Sequence, residues 1–382
     1  MIIQNALIYT TNHKFEKKDL RIFNERISEI AECGQMSLKE EEVMDAEGKY
    51  AIPGLVDIHF HGAMGYDFCQ ATEEELGKIA EYEAQNGILA ICPATMSYNE
   101  QILEKIMDKA KNYSGRHGAD LVGINMEGPF ISRKKAGAQN PEYIMPANVG
   151  MFEQLQHRSE GLIKLVDLAP EENGAMEFIE QCHEQVKISL AHTCSDYDTA
   201  KEAFEKGASH MTHLYNAMPG ISHRAPGPVI AALEAGAEVE LIADGIHIHP
   251  AMVRTTFRTF GAEKVILISD SMEATGLADG EYQLGGQEVT VKGKKAVLTR
   301  DAGTIAGSVT NLYECMKNCV QNMQIPLEEA VLAATENPAR SIGIEQDYGR
   351  IAIGNYGNVL LLKPDLSIQN IIQRGRIRKM ND

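Results

Sequence analysis

From residue 52 to residue 270 short apolar runs alternate with amphipathic stretches. The runs are AIPGLVDI, ending near Ile58, then GILAICPAT, LVGINM, LIKLVDLA, VKISLA, SHMTHL, VELIA and VILIS. Between most of them lie segments with helical spacing of apolar residues: EEELGKIAEYEAQ, NEQILEKIMDKAKN, AMEFIEQCHEQ, DYDTAKEAFEKG and AMVRTTFRTF. Near-continuous apolar strands joined through helices predict a parallel sheet covered on both faces. Eight such units predict an α/β fold closed into a (β/α)8 TIM barrel.

Outside this region the texture changes. Residues 1 to about 50 alternate in a β-like manner, as do YQLGGQEVTVKGKKAVLT and GNVLLLKPDLSIQNIIQRGRIRKM near the end. These pieces predict a small β-sandwich-like domain built from both termini and an insertion, residues 1–50 and 350–382 with part of 276–302. The barrel is then expected over 51–349, with ENPARSIGI as its last helical element. Internal repeats and flexible linkers are absent, so the two parts are expected to pack together.

Composition narrows the function. With 382 residues and a formal net charge of -18, the chain is a poor partner for nucleic acid or an anionic membrane, which reward clustered Lys and Arg. An anionic substrate must therefore be held by local cations. The first residues lack the pattern of an export signal, and no run reaches the roughly eighteen apolar residues of a membrane helix. Seven cysteines without a Cys-x-x-Cys pattern fit reduced thiols in a cytoplasmic protein. Cys315 and Cys319 are read as small core residues.

Barrels of this kind carry their chemistry at the C-terminal ends of the strands. The first run ends in GLVDIHFHG, with His59 and His61 at a spacing that sends both side chains to one face of a strand. Further runs lead to Glu127 in MEGPF, His192 in LAHTCS, His213 in MTHLYNAM and Asp270 in LISDSM. Singly, each has an ordinary structural explanation, as a helix cap or a satisfied core histidine. Jointly, at one end of one barrel, they point to a metal site. His210 and His213 are an odd number of strand positions apart, so only one faces the mouth, and His213 is nearer the strand's end. His247 and His249 in ADGIHIHP fit either a ligand pair or one substrate contact beside one structural histidine, the second being preferred. His13, His117, His157 and His183 lie in loop or helical surroundings and are read as ordinary. Imidazoles with carboxylates suit zinc first, with iron or manganese also compatible. Such an ion lowers the pKa of water from about 15.7 toward roughly 7. Asp270 is then placed to take the water's proton and deliver it to a leaving nitrogen, which is metal-assisted hydrolysis.

The histidine pair after the first strand, the histidines after the fifth and sixth and the aspartate after the eighth resemble the amidohydrolase superfamily, which combines such a barrel with a small β-domain. Many members bridge two metals with a carboxylated lysine at the end of strand four. Here that strand ends LVDLAPE, with Lys164 near its beginning, and Glu127 replaces the bridge. MEGPFIS, KKAGAQNPE, AHTCS, THLYNAMPGISHRAPG, ADGIHIHP, ISDSMEATG and GTIAGS resemble the superfamily's N-acetylglucosamine-6-phosphate deacetylase branch. The resemblance implies hydrolysis of the acetamide of N-acetyl-D-glucosamine 6-phosphate to D-glucosamine 6-phosphate and acetate, in amino-sugar catabolism or cell-wall recycling. It implies that Glu127, His192 and His213 hold a metal and that Asp270 is general base, then acid. It implies sugar contacts from Asn216, Ala217, Ala138, Ile305, Ala306 and Gly307. Arg224 and His247 would meet the phosphate, across the interface of a homodimer.

Single-metal members lack the first-strand pair, so His59 and His61 predict a second divalent metal, bridged by Glu127 and approached by Asp270. Some members carry histidine in the AGA-x-NP loop to polarise the carbonyl, whereas this chain has the uncharged donor Gln139. The competing expectation is an amidohydrolase for another N-acetyl amino sugar or a cyclic amide, with the same ligands. A catalytically silent barrel serving as a scaffold is disfavoured, because no ligand is missing.

Overall fold

The computed structural model describes residues 1–38, 41–115 and 117–379. Residues 380–382 of the expected small domain lie outside them. Eight parallel barrel strands occur in the expected order: β1 (Leu55–Asp57), β2 (Ile88–Ile91), β3 (Ile124–Glu127), β4 (Ile163–Leu168), β5 (Lys187–Leu190), β6 (His210–Met211), β7 (Glu238–Ile242) and β8 (Val265–Ile268). Strands β3 to β8 form one continuous ladder and β1 pairs with β2. A bridge between Ala94 and Asn125 joins β2 to β3. The ring closes beyond β8, where the Asp270 N–H donates to the His59 carbonyl at 2.9 Å and the His61 N–H donates to the Ser271 carbonyl at 2.7 Å.

The apolar runs read as continuous because both faces of the strands are buried. Val56, Ile58, Leu165, Ile242, Ile266 and Ile268 form an inner cluster capped by Ala339 and Ile342. Their neighbours Leu55, Val166, Leu168, Leu241 and Leu267 pack outward with the helices. The helix Glu73–Gln85 begins on a capping box, Thr72 with Glu75, and ends at Asn86 before Gly87. Cys315 and Cys319 lie buried in the helix Leu312–Gln321.

Both termini build one sheet, in the order Arg376–Ile377, Ile368–Gln373, Val359–Leu362, Tyr50–Pro53, Ile2–Tyr9, Phe15–Phe23 and Arg26–Glu32, with Val43–Asp45 beside Ile2–Tyr9. Val359 and Leu361 belong to its own core, and Leu360 and Leu362 join the core of the barrel. That two-sided burial fastens the sheet to the barrel. The insertion differs from expectation. Gly280–Leu284, Gln287–Lys292, Lys295–Leu298 and Asp301–Ile305 form a four-stranded antiparallel sheet of their own. Its apolar residues Leu284, Val289, Val291, Ala296 and Leu298 pack with the barrel cluster and not with the terminal sheet. Alternation identifies a half-buried strand but carries no address for its partner. Among the described residues no helix is long and apolar enough to cross a membrane.

A buried acid in the core stands without a polar partner. Glu83 is fully buried on the helix Glu73–Gln85, and neither carboxyl oxygen has a hydrogen-bond partner. Burial, with a smaller push from the nearby Asp57 carboxyl, holds its pKa well above the usual range. The folded protein therefore keeps a proton that the unfolded chain releases above about pH 4.3, so this group's contribution falls as pH rises. Glu83→Gln lacks that loss. Its melting temperature is expected to match wild type near pH 4.5 and to exceed it by roughly 2–6 °C at pH 8, in parallel thermal melts.

Candidate active site

The strand ends bring Glu127, His192, His213, His59, His61 and Asp270 together. The first strand ends at Asp57, so His59 and His61 lie past it, at a bend. Their rings meet edge to face with centroids 5.6 Å apart, and both Nε2 atoms face Asp270 Oδ1, at 3.9 and 3.4 Å. The pairing expected from strand alternation is therefore produced by a turn. His192, His213 and Asp270 each have positive φ, 43°, 30° and 49°. This backbone region is unfavourable for residues other than glycine and concentrates at functional sites.

Glu127 is the hub. Its Oε1 lies 2.9 Å from His192 Nε2, 3.3 Å from His213 Nε2 and 3.7 Å from His59 Nε2, and its Oε2 lies 3.3 Å from His61 Nε2. Three groupings of donor atoms result among the described residues: His59 with Glu127 and Asp167, and two richer in histidine, Glu127 with His192 and His213, and His59 with His61 and Asp270. Proton bookkeeping shows that both histidine-rich groupings suit a cation. His192 Nδ1 lies 2.7 Å from the Lys135 carbonyl, which only accepts, so the proton sits on Nδ1 and Nε2 offers a lone pair. His59 Nδ1 faces the Glu240 carboxylate at 3.0 Å, and its buried Nε2 has no hydrogen-bond partner. Lone pairs facing carboxylates repel unless a positive charge lies between them. The ionisation tendencies agree. Burial lowers the His61 pKa, but the Asp270 and Glu127 carboxylates outweigh it and push the imidazole up to about 10. Burial likewise opposes ionisation of Glu127, but the facing imidazoles of His192, His213 and His61 hold it well below the usual range. The donor set fits the divalent metal expected for it.

Above the centre opens a cavity of about 450 Å³, lined in part by His61, Glu127, His192, His213 and Asp270. Ala138, Gln139, Asn216, Ala217, His247, Ile305 and Gly307 also line it. Ala306 is fully buried behind the wall, with its N–H donated to Ala296. Gly307 has φ +61°, and a Cβ there would stand 3.1 Å from the Asp270 carbonyl, so this close approach requires glycine. Arg224 is exposed and does not line the cavity of its own chain. His247 is held by Asp244 Oδ2 at 2.8 Å, and its pKa is raised because that carboxylate outweighs burial. His249 instead caps the helix Pro250–Phe260, accepting the Ala251 N–H. Gln139 donates to Glu127 Oε2 at 2.7 Å and accepts the Ser97 N–H at 2.6 Å, so both ends of its amide are engaged. His210 points inside the barrel onto Ser189 and is fully buried.

Sequence reasoning passed over several residues. Lys134 and Lys135 line the cavity, and the Lys135 carbonyl orients His192. Glu240, Asn125 and Asp167 lie buried around the centre. Polar residues in the apolar runs VELIA, GINM and LVDLA were the available signal, because a buried acid in a strand needs a partner.

A barrel with a carboxylate-bridged histidine centre at its strand ends defines a class, metal-dependent hydrolases. The chain matches the Amidohydrolase family over residues 50–378 and belongs to that family. It is 34% identical to an N-acetylglucosamine-6-phosphate deacetylase of Bacillus subtilis (strain 168), over 99% of this chain and 96% of the relative. It is 32% identical to an N-acetylgalactosamine-6-phosphate deacetylase of Escherichia coli O157:H7, over 88% of this chain and 89% of the relative. Its structure resembles that of a mutant N-acetyl-D-glucosamine-6-phosphate deacetylase from Mycobacterium smegmatis in complex with N-acetyl-D-glucosamine-6-phosphate. The TM-score is 0.92 and the identity 28%, covering 99% of this chain and 98% of that one.

A site built of inward-facing lone pairs and buried carboxylates is destabilising when empty. Stripping metal with a strong chelator should lower the melting temperature by several degrees, and added zinc should restore it, by mass action on the folded state. A melt indifferent to both treatments would falsify the cation reading of these residues.

Proposed function

We propose that this chain hydrolyses the acetamide of N-acetyl-D-glucosamine 6-phosphate to D-glucosamine 6-phosphate and acetate. The observation that carries the reading is the hub geometry, Glu127 between two histidine groupings with Asp270 at the cavity floor. The Bacillus subtilis relative, 34% identical over nearly the full length, bears the name of that activity. Glu127, His192 and His213 would hold one divalent ion, and His59 and His61, with Glu127 as bridge and Asp270 beside them, a second. Zinc is the first candidate, with iron or manganese compatible with the same donors. Bound there, the ions supply a polarised acetyl carbonyl and a water made nucleophilic near neutral pH.

The chain's own groups do the rest. Burial opposes ionisation of Asp270, but His61 and His59 outweigh it and hold the carboxyl below its usual range, so it starts as a base. It takes a proton from water as the water oxygen attacks the acetyl carbon. When the C–N bond breaks, the proton passes from Asp270 to the departing nitrogen, leaving acetate and a free amine. Ala138, Asn216, Ala217, Ile305, Ala306 and Gly307 form the sugar wall. Gln139, with both amide ends engaged, steadies Glu127. His247 takes the phosphate, with Lys134 and Lys135 on the same cavity wall. Arg224 is exposed and does not line its own cavity, which supports a homodimer in which Arg224 of the partner subunit completes the phosphate site. The seven free thiols support a reducing, cytoplasmic setting in amino-sugar breakdown or cell-wall recycling.

The Escherichia coli O157:H7 relative favours a second reading, the galactosamine epimer as substrate. Acetate release from both phosphorylated epimers and from unphosphorylated N-acetylglucosamine separates the readings. The glucosamine 6-phosphate derivative should give the highest kcat/KM, and removal of the phosphate should depress kcat/KM at least about a hundredfold, through KM. Preference for the galactosamine epimer would replace the first substrate by the second.

Asp270→Asn should reduce kcat by about 10²–10⁴-fold, and Arg224→Ala should raise KM. Mixing the two impaired variants should, after subunit exchange and at substrate well below the raised KM, give more activity than the two give separately, because hybrid dimers hold one site with both residues intact. No recovery in an exchanged dimer would place Arg224 outside the site.

A further inference from the structure

We propose that Glu240 is the positioning residue that fixes the His59 ring for metal binding, so that occupancy of the His59–His61 half of the centre depends on a carboxylate that touches neither ion nor substrate. The inference rests on the two-ion reading above.

Glu240 lies in the middle of β7 and is fully buried, a place where an acid persists only with partners. Its Oε2 stands 3.0 Å from His59 Nδ1 and also accepts the backbone N–H of His213 at 3.1 Å. One oxygen thus ties the histidine pair after β1 to the histidine after β6, across the barrel interior.

An ionised carboxylate only accepts, so Glu240 holds the proton on His59 Nδ1 and leaves the lone pair on Nε2. That Nε2 is buried without a hydrogen-bond partner, 3.7 Å from Glu127 Oε1 and 3.9 Å from Asp270 Oδ1. It faces the place an ion would take. Asn125 cannot perform the same task as it stands. Its Nδ2, 3.3 Å from His59 Nδ1, is itself a donor, and its oxygen has no partner. Without Glu240 the ring is free to carry its proton on Nε2, pointing a hydrogen where a ligand is needed. Carboxylates behind metal-binding histidines fix tautomer and orientation in this way, and their loss typically weakens metal binding 10–100-fold.

The test compares wild type, Glu240→Ala, Glu240→Gln and His59→Ala, each loaded with zinc and dialysed against graded chelator. Zinc per chain is measured by atomic emission, with thermal melts in parallel. Wild type should hold two equivalents. Glu240→Ala should keep one and release the other at roughly 10–100-fold weaker chelation. Glu240→Gln, whose amide oxygen can still accept from Nδ1, should fall between them. A merely structural role would lower the melting temperature and leave the stoichiometry and both affinities unchanged. Two equivalents at wild-type affinity in Glu240→Ala would overturn the proposal. If that variant does not fold, Glu240→Gln decides, and wild-type affinity there overturns it equally. One equivalent in wild type, unchanged in His59→Ala, would instead remove the two-ion reading and the proposal with it.

Discussion

The structure is organised around two carboxylates, Glu127 and Asp270, buried at the mouth of a barrel and faced by the Nε2 atoms of four imidazoles. An isolated carboxylate moved out of water carries a penalty of several kcal/mol or more, and only charge or hydrogen bonds offset it. Here Gln139 donates to Glu127 at 2.7 Å, and the Nε2 atoms of His192, His213, His59 and His61 all lie within 3.9 Å of one carboxylate or the other. For two of these rings, His192 and His59, the partner of the outer nitrogen leaves the lone pair facing inward. The Lys135 carbonyl takes the proton side of His192, and Glu240 takes that of His59. A cation held between them would balance these charges, and the same carboxylates otherwise drive the imidazoles of His61 and His59 toward protonation.

Holding such a centre requires the surrounding backbone to be over-determined. His192, His213 and Asp270 sit in the left-handed region, which costs of order 1–3 kcal/mol for a residue with a side chain. Each is pinned by hydrogen bonds outside itself. Asp270 gives its N–H to His59 and receives the Ser308 N–H on its carbonyl at 2.6 Å, and the His213 N–H goes to Glu240. The inserted sheet contributes here. Its last strand returns the chain so that Ser308 bridges Ser271, placing Ile305 and Gly307 on the cavity wall. An insertion that looks peripheral in the chain thus forms part of the mouth.

How far the sequence exposed this arrangement follows from the same physics. The barrel was legible because strands buried on both faces must be apolar, and the ligands because a barrel's chemistry collects where those strands stop. LVDIHFH, INMEG, LAH, MTHL and LISD each put a polar residue at that boundary. What supports the ligands was not legible. Glu240 and Asp167 are single acids inside the runs VELIA and LVDLA, where an apolar average hides them. Lys135 orients His192 through its carbonyl, an atom every residue has, so no side-chain pattern marks it. The pairing of His59 with His61 was anticipated from strand alternation, but the strand stops at Asp57 and a bend does the work. The separate sheet at 280–305 escaped because alternation fixes which side of a strand is buried and not against what.

Charge supplies the last step. A net charge of -18 repels a phosphorylated sugar at long range, yet at physiological ionic strength exposed charges are screened beyond about 8 Å. What a phosphate meets is decided by the wall of the cavity, and there the sequence-wide excess of acid is reversed locally. Lys134 and Lys135 line it, together with His247, which is charged more readily because Asp244 stands behind it. Arg224 is missing from that wall and exposed to solvent, although Arg is the side chain best shaped for bidentate contact with phosphate. A cation so placed serves its own site poorly and a neighbouring one well. On the proposed reading, anion recognition is therefore divided between residues the barrel holds in place and one that assembly must deliver, so phosphate affinity and dimer formation become a single property of the protein.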